Sequence, residues 1–80
     1  ERDRAAFEAL SERELQVLAE LARGKSNREI AAALHLSEIT ARNHVSAILK
    51  KLKLNNRAEA AAYAARHHVE DYLPRPPSPS

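Results

Sequence analysis

The chain has 80 residues, 30% of them charged, with 13 basic against 11 acidic side chains and no cysteine. That length suits one small domain near the lower limit for a self-supporting core, and it is short for an enclosed catalytic pocket. Without cysteine there is neither a disulfide framework nor thiol chemistry, and no run approaches the roughly 18 apolar residues of a membrane span.

In chain order, residues 1–9 read as a linker or a leading helix, and "ERDRAAFEAL" lacks the apolar centre of a secretory signal. The sequence contains no methionine, and a larger protein is expected upstream. Strong helix formers dominate most of the chain. Ser11-Glu12-Arg13-Glu14, Ser26-Asn27-Arg28-Glu29 and Asn56-Arg57-Ala58-Glu59 share one device. A cap side chain can take an orphan backbone N–H, and a glutamate three residues on can reach back to the cap's own N–H.

The first main helix is expected over Glu12–Arg23, with Leu15, Leu18, Leu21 and Ala22 inward, closed by Gly24. A short second helix, Asn27–Leu34, turns Ile30, Ala31 and Leu34 inward and depends on packing to persist. Leu36 anchors the turn, and Ser37 can cap a third helix over Glu38–Leu52. That helix has Ala41, Val45, Ile48, Leu49 and Leu52 inside and Glu38, Arg42, Asn43, Ser46 and Lys50 outside. After "KLNN" a fourth helix starts near Arg57, with Ala58, Ala61, Ala62 and Ala65 on one side, a small-residue surface suited to close helix contact of which part covers the core, and Ala60 and Ala64 flanking it. Residues 69–80 read as a tail. "PRPPSPS" cannot continue a helix and is expected to be disordered, with an extended peptide ligand as the alternative.

The expected fold class is therefore all-α: a compact four-helix domain over residues 10–68 containing a helix-turn-helix, with a disordered Pro-rich C-terminal tail. Its charge is local. Residues 37–57 hold Arg42, Lys50, Lys51, Lys53 and Arg57 against Glu38 alone, net +4, while the flanking regions are neutral or net −1. Such a stretch fits an anionic partner, nucleic acid above all, although cations near a helix C-terminus also satisfy the dipole without one. Two short helices around a tight turn can place the second in a DNA major groove, where arginine matches guanine and asparagine matches adenine.

The segment from Leu10 to about Ala64 resembles the LuxR-type helix-turn-helix domain, also called FixJ- or NarL-like. The matches are Leu10, Ser11, Arg13 and Glu14, then Gly24, Ser26, Asn27, Glu29, Ile30 and Ala31. They continue through Leu34, Leu36, Ser37, Thr40, Asn43, His44 and Val45, and close with Ile48, Lys51, Leu52, Asn56, Arg57 and Ala60. Ala41 stands where the family usually has valine, and Lys53-Leu54 where Gly-Val is common.

The resemblance implies base contacts from Arg42, Asn43 and Ser46. It implies phosphate contacts from Ser26, Asn27, Arg28, Ser37, Thr40 and Lys50, and a weak homodimer through the fourth helix at Ala60, Ala61 and Ala64. Competing readings remain for single residues: phosphate or solvent for Arg42, a helix-surface role for Asn43 and Ser46, the helix dipole for Lys50. His44 is expected at the core's edge in a structural role, with phosphate second. His67 and His68 do not make a metal site, and no cofactor is expected. The implied function is double-stranded DNA binding, without catalysis, as the output domain of a bacterial transcriptional regulator, a response regulator of a two-component system. Its sensory or receiver domain would lie upstream, in the cytoplasm and off the membrane. The alternatives are a helical module that binds a protein partner and the promoter-reading domain of a sigma factor.

Overall fold

The computed structural model describes residues 2–73, and four of its helices begin where a side chain satisfies one of their first N–H groups. Their order is α1 (Arg2–Glu8), α2 (Glu12–Ala22), α3 (Asn27–Leu34), α4 (Glu38–Leu52), α5 (Arg57–Arg66) and a 3₁₀ turn at Val69–Tyr72. At α2 the Glu14 N–H donates to Ser11 Oγ at 3.1 Å, and the Ser11 N–H donates to the Glu14 carboxylate at 2.8 Å. Ser26 and Glu29 make the same pair of bonds at α3, at 3.2 and 2.8 Å. At α5 the Glu59 N–H donates to Asn56 Oδ1 at 2.9 Å. Glu59, however, takes the N–H of Asn55 rather than that of Asn56, so this third box is displaced by one residue.

The helix ends are closed by left-handed residues. Gly24, at φ +81°, sends its N–H to Leu21 O while the Lys25 N–H reaches Glu20 O, a Schellman closure. A Cβ at Gly24 would touch nothing within 4 Å, so the glycine answers to its φ and not to space. His35 (φ 58°) and Lys53 (φ 56°) take the same conformation with side chains, closing α3 and α4. The Leu36 N–H then reaches Ala31 O at 2.8 Å, and the Leu54 N–H reaches Leu49 O at 2.9 Å.

The fold is all-α, with α3 and α4 packed as a helix-turn-helix around His35–Ser37. Its axis is α2, which touches α3, α4, α5 and the 3₁₀ turn. Consequently α2 is buried on nearly every side. Leu15, Val17, Leu18, Ala19 and Leu21 are all in the core, beyond the single stripe expected from its spacing. Ile30 and Ala31 enter from α3, and Ala41, Val45 and Ile48 from α4, with Leu34, Leu36, Leu49, Leu52 and Leu54 half-buried around them.

Residues 10–68 hold the four expected α-helices, but three expectations change. First, residues 1–9, read as a linker or a leading helix, give a helix over residues 2–8, and its Phe7 is fully buried, so the core extends beyond the expected domain start. Phe7 meets Tyr72 and Tyr63 edge-on, with ring centroids 4.8 and 5.6 Å apart. Second, the segment expected to open the tail is part of the core: Val69 is buried, and Tyr72 and Leu73 pack against it. The remainder of that tail, residues 74–80, lies outside the described residues. Third, α5 is rotated from its expected orientation. Ala60 and Ala64 are fully buried, whereas Ala58, Ala62 and Ala65 are exposed and Ala61 is half-buried. No helix among the described residues is long and apolar enough to cross a membrane.

Candidate nucleic-acid interface

The inner face of α4 fixes what its outer face presents. At about 100° per residue, Ala41, Val45, Ile48, Leu49 and Leu52 centre on one side, and Ile39, Arg42, Asn43, Ser46 and Lys50 centre about 130° round the helix from them. All five of the latter are exposed. The helix of 15 residues is about 22 Å long, enough to lie along a major groove about 12 Å wide. His44 is half-buried at the border between the two faces.

Ser37 fixes the N-terminus of α4. Its Oγ accepts the Thr40 N–H at 3.0 Å, and its hydroxyl lies 2.8 Å from Thr40 Oγ1. Two short polar side chains are thereby gathered at a helix end whose free N–H groups and dipole favour an anion. Lys50 sits about 20 Å further along the helix, at the other end of the exposed stripe. A second polar group stands at the start of α3, where Ser26 caps, Asn27 is half-buried and Arg28 is exposed.

Arg57 holds that start in place. It donates to Asn27 Oδ1 at 2.8 Å and to Lys25 O at 2.7 Å, joining the first residue of α5 to the entry of α3. Two other long-range contacts seat the helix-turn-helix on α2. Lys51 Nζ lies 2.8 Å from Glu14 Oε1, and Arg13 donates to Leu34 O at 3.3 Å, at the C-terminal end of α3. Burial pushes the Glu14 carboxyl up. The Lys51 ammonium and the Ser11 backbone and hydroxyl outweigh it, holding the group below its ordinary value of 4.5. Glu29 is likewise held low by the Ser26 N–H and hydroxyl.

The basic stretch therefore divides. All five cations are exposed, but Lys51 and Arg57 also brace the fold, through Glu14 and through Asn27 and Lys25. Residue spacing did not reveal this division, because both bracing contacts join positions 30 or more apart in the chain. Of the three alanines expected at a dimer contact, only Ala61 reaches the surface, because Ala60 and Ala64 fill the core between α5 and α2. Ile39 was absent from the expected site, although an isoleucine out of phase with the inward set is visible in the sequence. Elsewhere, a second pair of ion contacts surrounds Glu20: Arg23 at 2.7 Å, and Lys25 at 2.7 Å but off the line of a hydrogen bond. Among the described residues no group of three His, Cys, Asp or Glu side chains could hold a metal.

Residues 8–64 match the family described as bacterial regulatory proteins, luxR family. The chain is 45% identical over 67 residues to the uncharacterized transcriptional regulatory protein YhcZ of Bacillus subtilis (strain 168), covering 84% of this chain and 31% of that protein. It is 50% identical over 60 residues to the transcriptional regulatory protein LnrK of the same organism, covering 75% and 27%. With the response regulator protein VraR of Staphylococcus aureus (strain NCTC 8325 / PS 47) it shares 44% identity over 63 residues, covering 79% and 30%. The chain thus spans about a third of the length of the curated relatives it matches.

Proposed function

The chain belongs to the luxR family of bacterial regulatory proteins, and from that premise we propose how it reads DNA. It is a sequence-specific DNA-binding output domain of a bacterial transcription factor, and not an enzyme. The observation that carries the proposed mechanism is the exposed stripe of α4, backed by a core that holds the helix rigidly.

In this reading α4 lies in the major groove. Arg42 donates two hydrogen bonds to guanine, Asn43 pairs its amide with adenine, and Ser46 reaches a third base edge. Phosphates on one side are met by Ser37, Thr40 and the N–H groups at the start of α4, and by Ser26, Asn27 and Arg28 at the start of α3. Asn27 keeps its amide nitrogen as donor, since Arg57 occupies its oxygen. Lys50 closes the far side. These contacts neutralise phosphate charge and carry the salt dependence.

Two domains pair through the outer face of α5, around Ala58, Ala61, Ala62 and Ala65, on a site of two half-sites. A recess of about 210 Å³ beside Leu54, Glu59, Ala62, Tyr63 and Arg66 lies on that face. The whole protein is a response regulator whose receiver or sensory domain precedes this chain, working in the cytoplasm where its DNA is. Selection of duplexes from a random pool by this chain is the test. A recovered consensus with two-fold character supports the reading, and recovery of no consensus overturns it.

A further inference from the structure

Among the described residues, Ile39 is the one large hydrophobic side chain left exposed, at 66%. The core does not require it, since Ala41, Val45 and Ile48 fill the inner face of α4. Helix propensity does not favour it either, because a β-branched residue loses side-chain freedom on a helix. Its neighbours on the same face, three, four and seven residues on, are Arg42, Asn43 and Ser46, all exposed and polar. One isoleucine in polar surroundings is far smaller than the patch of a few hundred Å² that marks a protein-docking surface. It is the right size to cover one methyl group.

We propose that Ile39 is a specificity-determining residue that packs against the 5-methyl group of a thymine in the major groove. The proposal rests on α4 being the reading helix. Thymine is the one base that carries a methyl on that groove edge. Ile39 extends the stripe of Arg42, Asn43 and Ser46 by one turn toward the capped end of α4. It therefore reads the base pair next to those read by hydrogen bonding. The polar residues discriminate by donors and acceptors, and Ile39 adds discrimination by apolar contact, which neither arginine nor asparagine supplies.

The experiment uses the duplex recovered by selection. Each thymine is replaced singly by deoxyuridine, which removes the methyl and leaves every hydrogen-bonding group. Parent and Ile39→Ala chains are then titrated at one salt concentration. The expected result is one thymine per half-site whose methyl is worth about fourfold in affinity to the parent, the value of one buried carbon, and nothing to Ile39→Ala. Because Ile39 is exposed and alanine is the better helix former, helix content and melting temperature of the variant should equal or slightly exceed those of the parent. Deoxyuridine effects identical in the two chains at every position overturn the proposal. Recovery of a consensus that Arg42→Ala weakens, with no methyl coupled to Ile39, overturns this inference alone. Recovery of no consensus removes the DNA-reading mechanism and this inference with it.

Discussion

Arg42 and Lys50 lie on one exposed face of α4 yet should behave differently in solution. A base-edge contact carries sequence information and a phosphate contact does not. Arg42→Ala should narrow the gap between the selected duplex and an unrelated one by about 1–3 kcal/mol, read by titrating both at fixed salt. An equal loss on both would move Arg42 to the phosphates. Lys50→Ala should weaken all duplexes alike and lower the salt slope by about one unit, and an unchanged slope would remove Lys50 from the interface. Arg57 is a third kind of cation. With both its terminal nitrogens engaged by Asn27 and Lys25, its removal would loosen the entry to α3.

The elements α2 to α5 were legible because each announces its start with a cap, and α2 to α4 because large apolar residues contrast with polar ones at helical spacing. On α5 the contrast is missing. Positions 58, 60, 61, 62, 64 and 65 are all alanine, so no periodicity distinguishes inside from outside, and the expected face was the wrong one. The leading helix was obscure for a related reason: one aromatic anchor, Phe7, carries its packing in a charged segment. With the true face in view, Ala62→Glu should leave the helix content of the free domain intact. It should reduce cooperative filling of a two-half-site duplex while sparing a single half-site, as measured by titrating both. Unchanged cooperativity would assign pairing to another surface. The ends of the helices offer a separate test. Lys53 closes α4 at φ 56° where glycine would be unstrained. Relief of about 1–2 kcal/mol of left-handed strain, less about 0.5–1 for glycine's extra freedom when unfolded, should make Lys53→Gly more stable by about 0.5–1 kcal/mol. A thermal melt reads this as a rise of a few degrees, about 4–8 °C per kcal/mol.

At the scale of the whole domain, the acid limb of stability should carry the signature of Glu14. Its folded pKa lies below the ordinary 4.5, so the unfolded chain binds more protons across that range. The stabilisation is complete above about 4.5 and is lost as pH falls through the lower folded value, with Glu29 acting in the same direction. Denaturant titrations from pH 6 down to 3 should therefore show a shallower acid decline in Glu14→Gln, and parallel declines would exclude the Lys51 contact as a pH-sensitive brace. Phe7→Ala should lower stability by about 3–5 kcal/mol, a large part of the 5–15 typical of a domain, as measured by the same denaturant titrations. The contact that makes Phe7 costly to remove also brings the beginning and end of the described chain together, ring against ring with Tyr72. Order along the backbone is then separable from order in space. A circular permutant, with residue 73 joined to residue 5 by a short Gly-Ser linker and new termini opened between α4 and α5, should keep the same core and the same DNA preference.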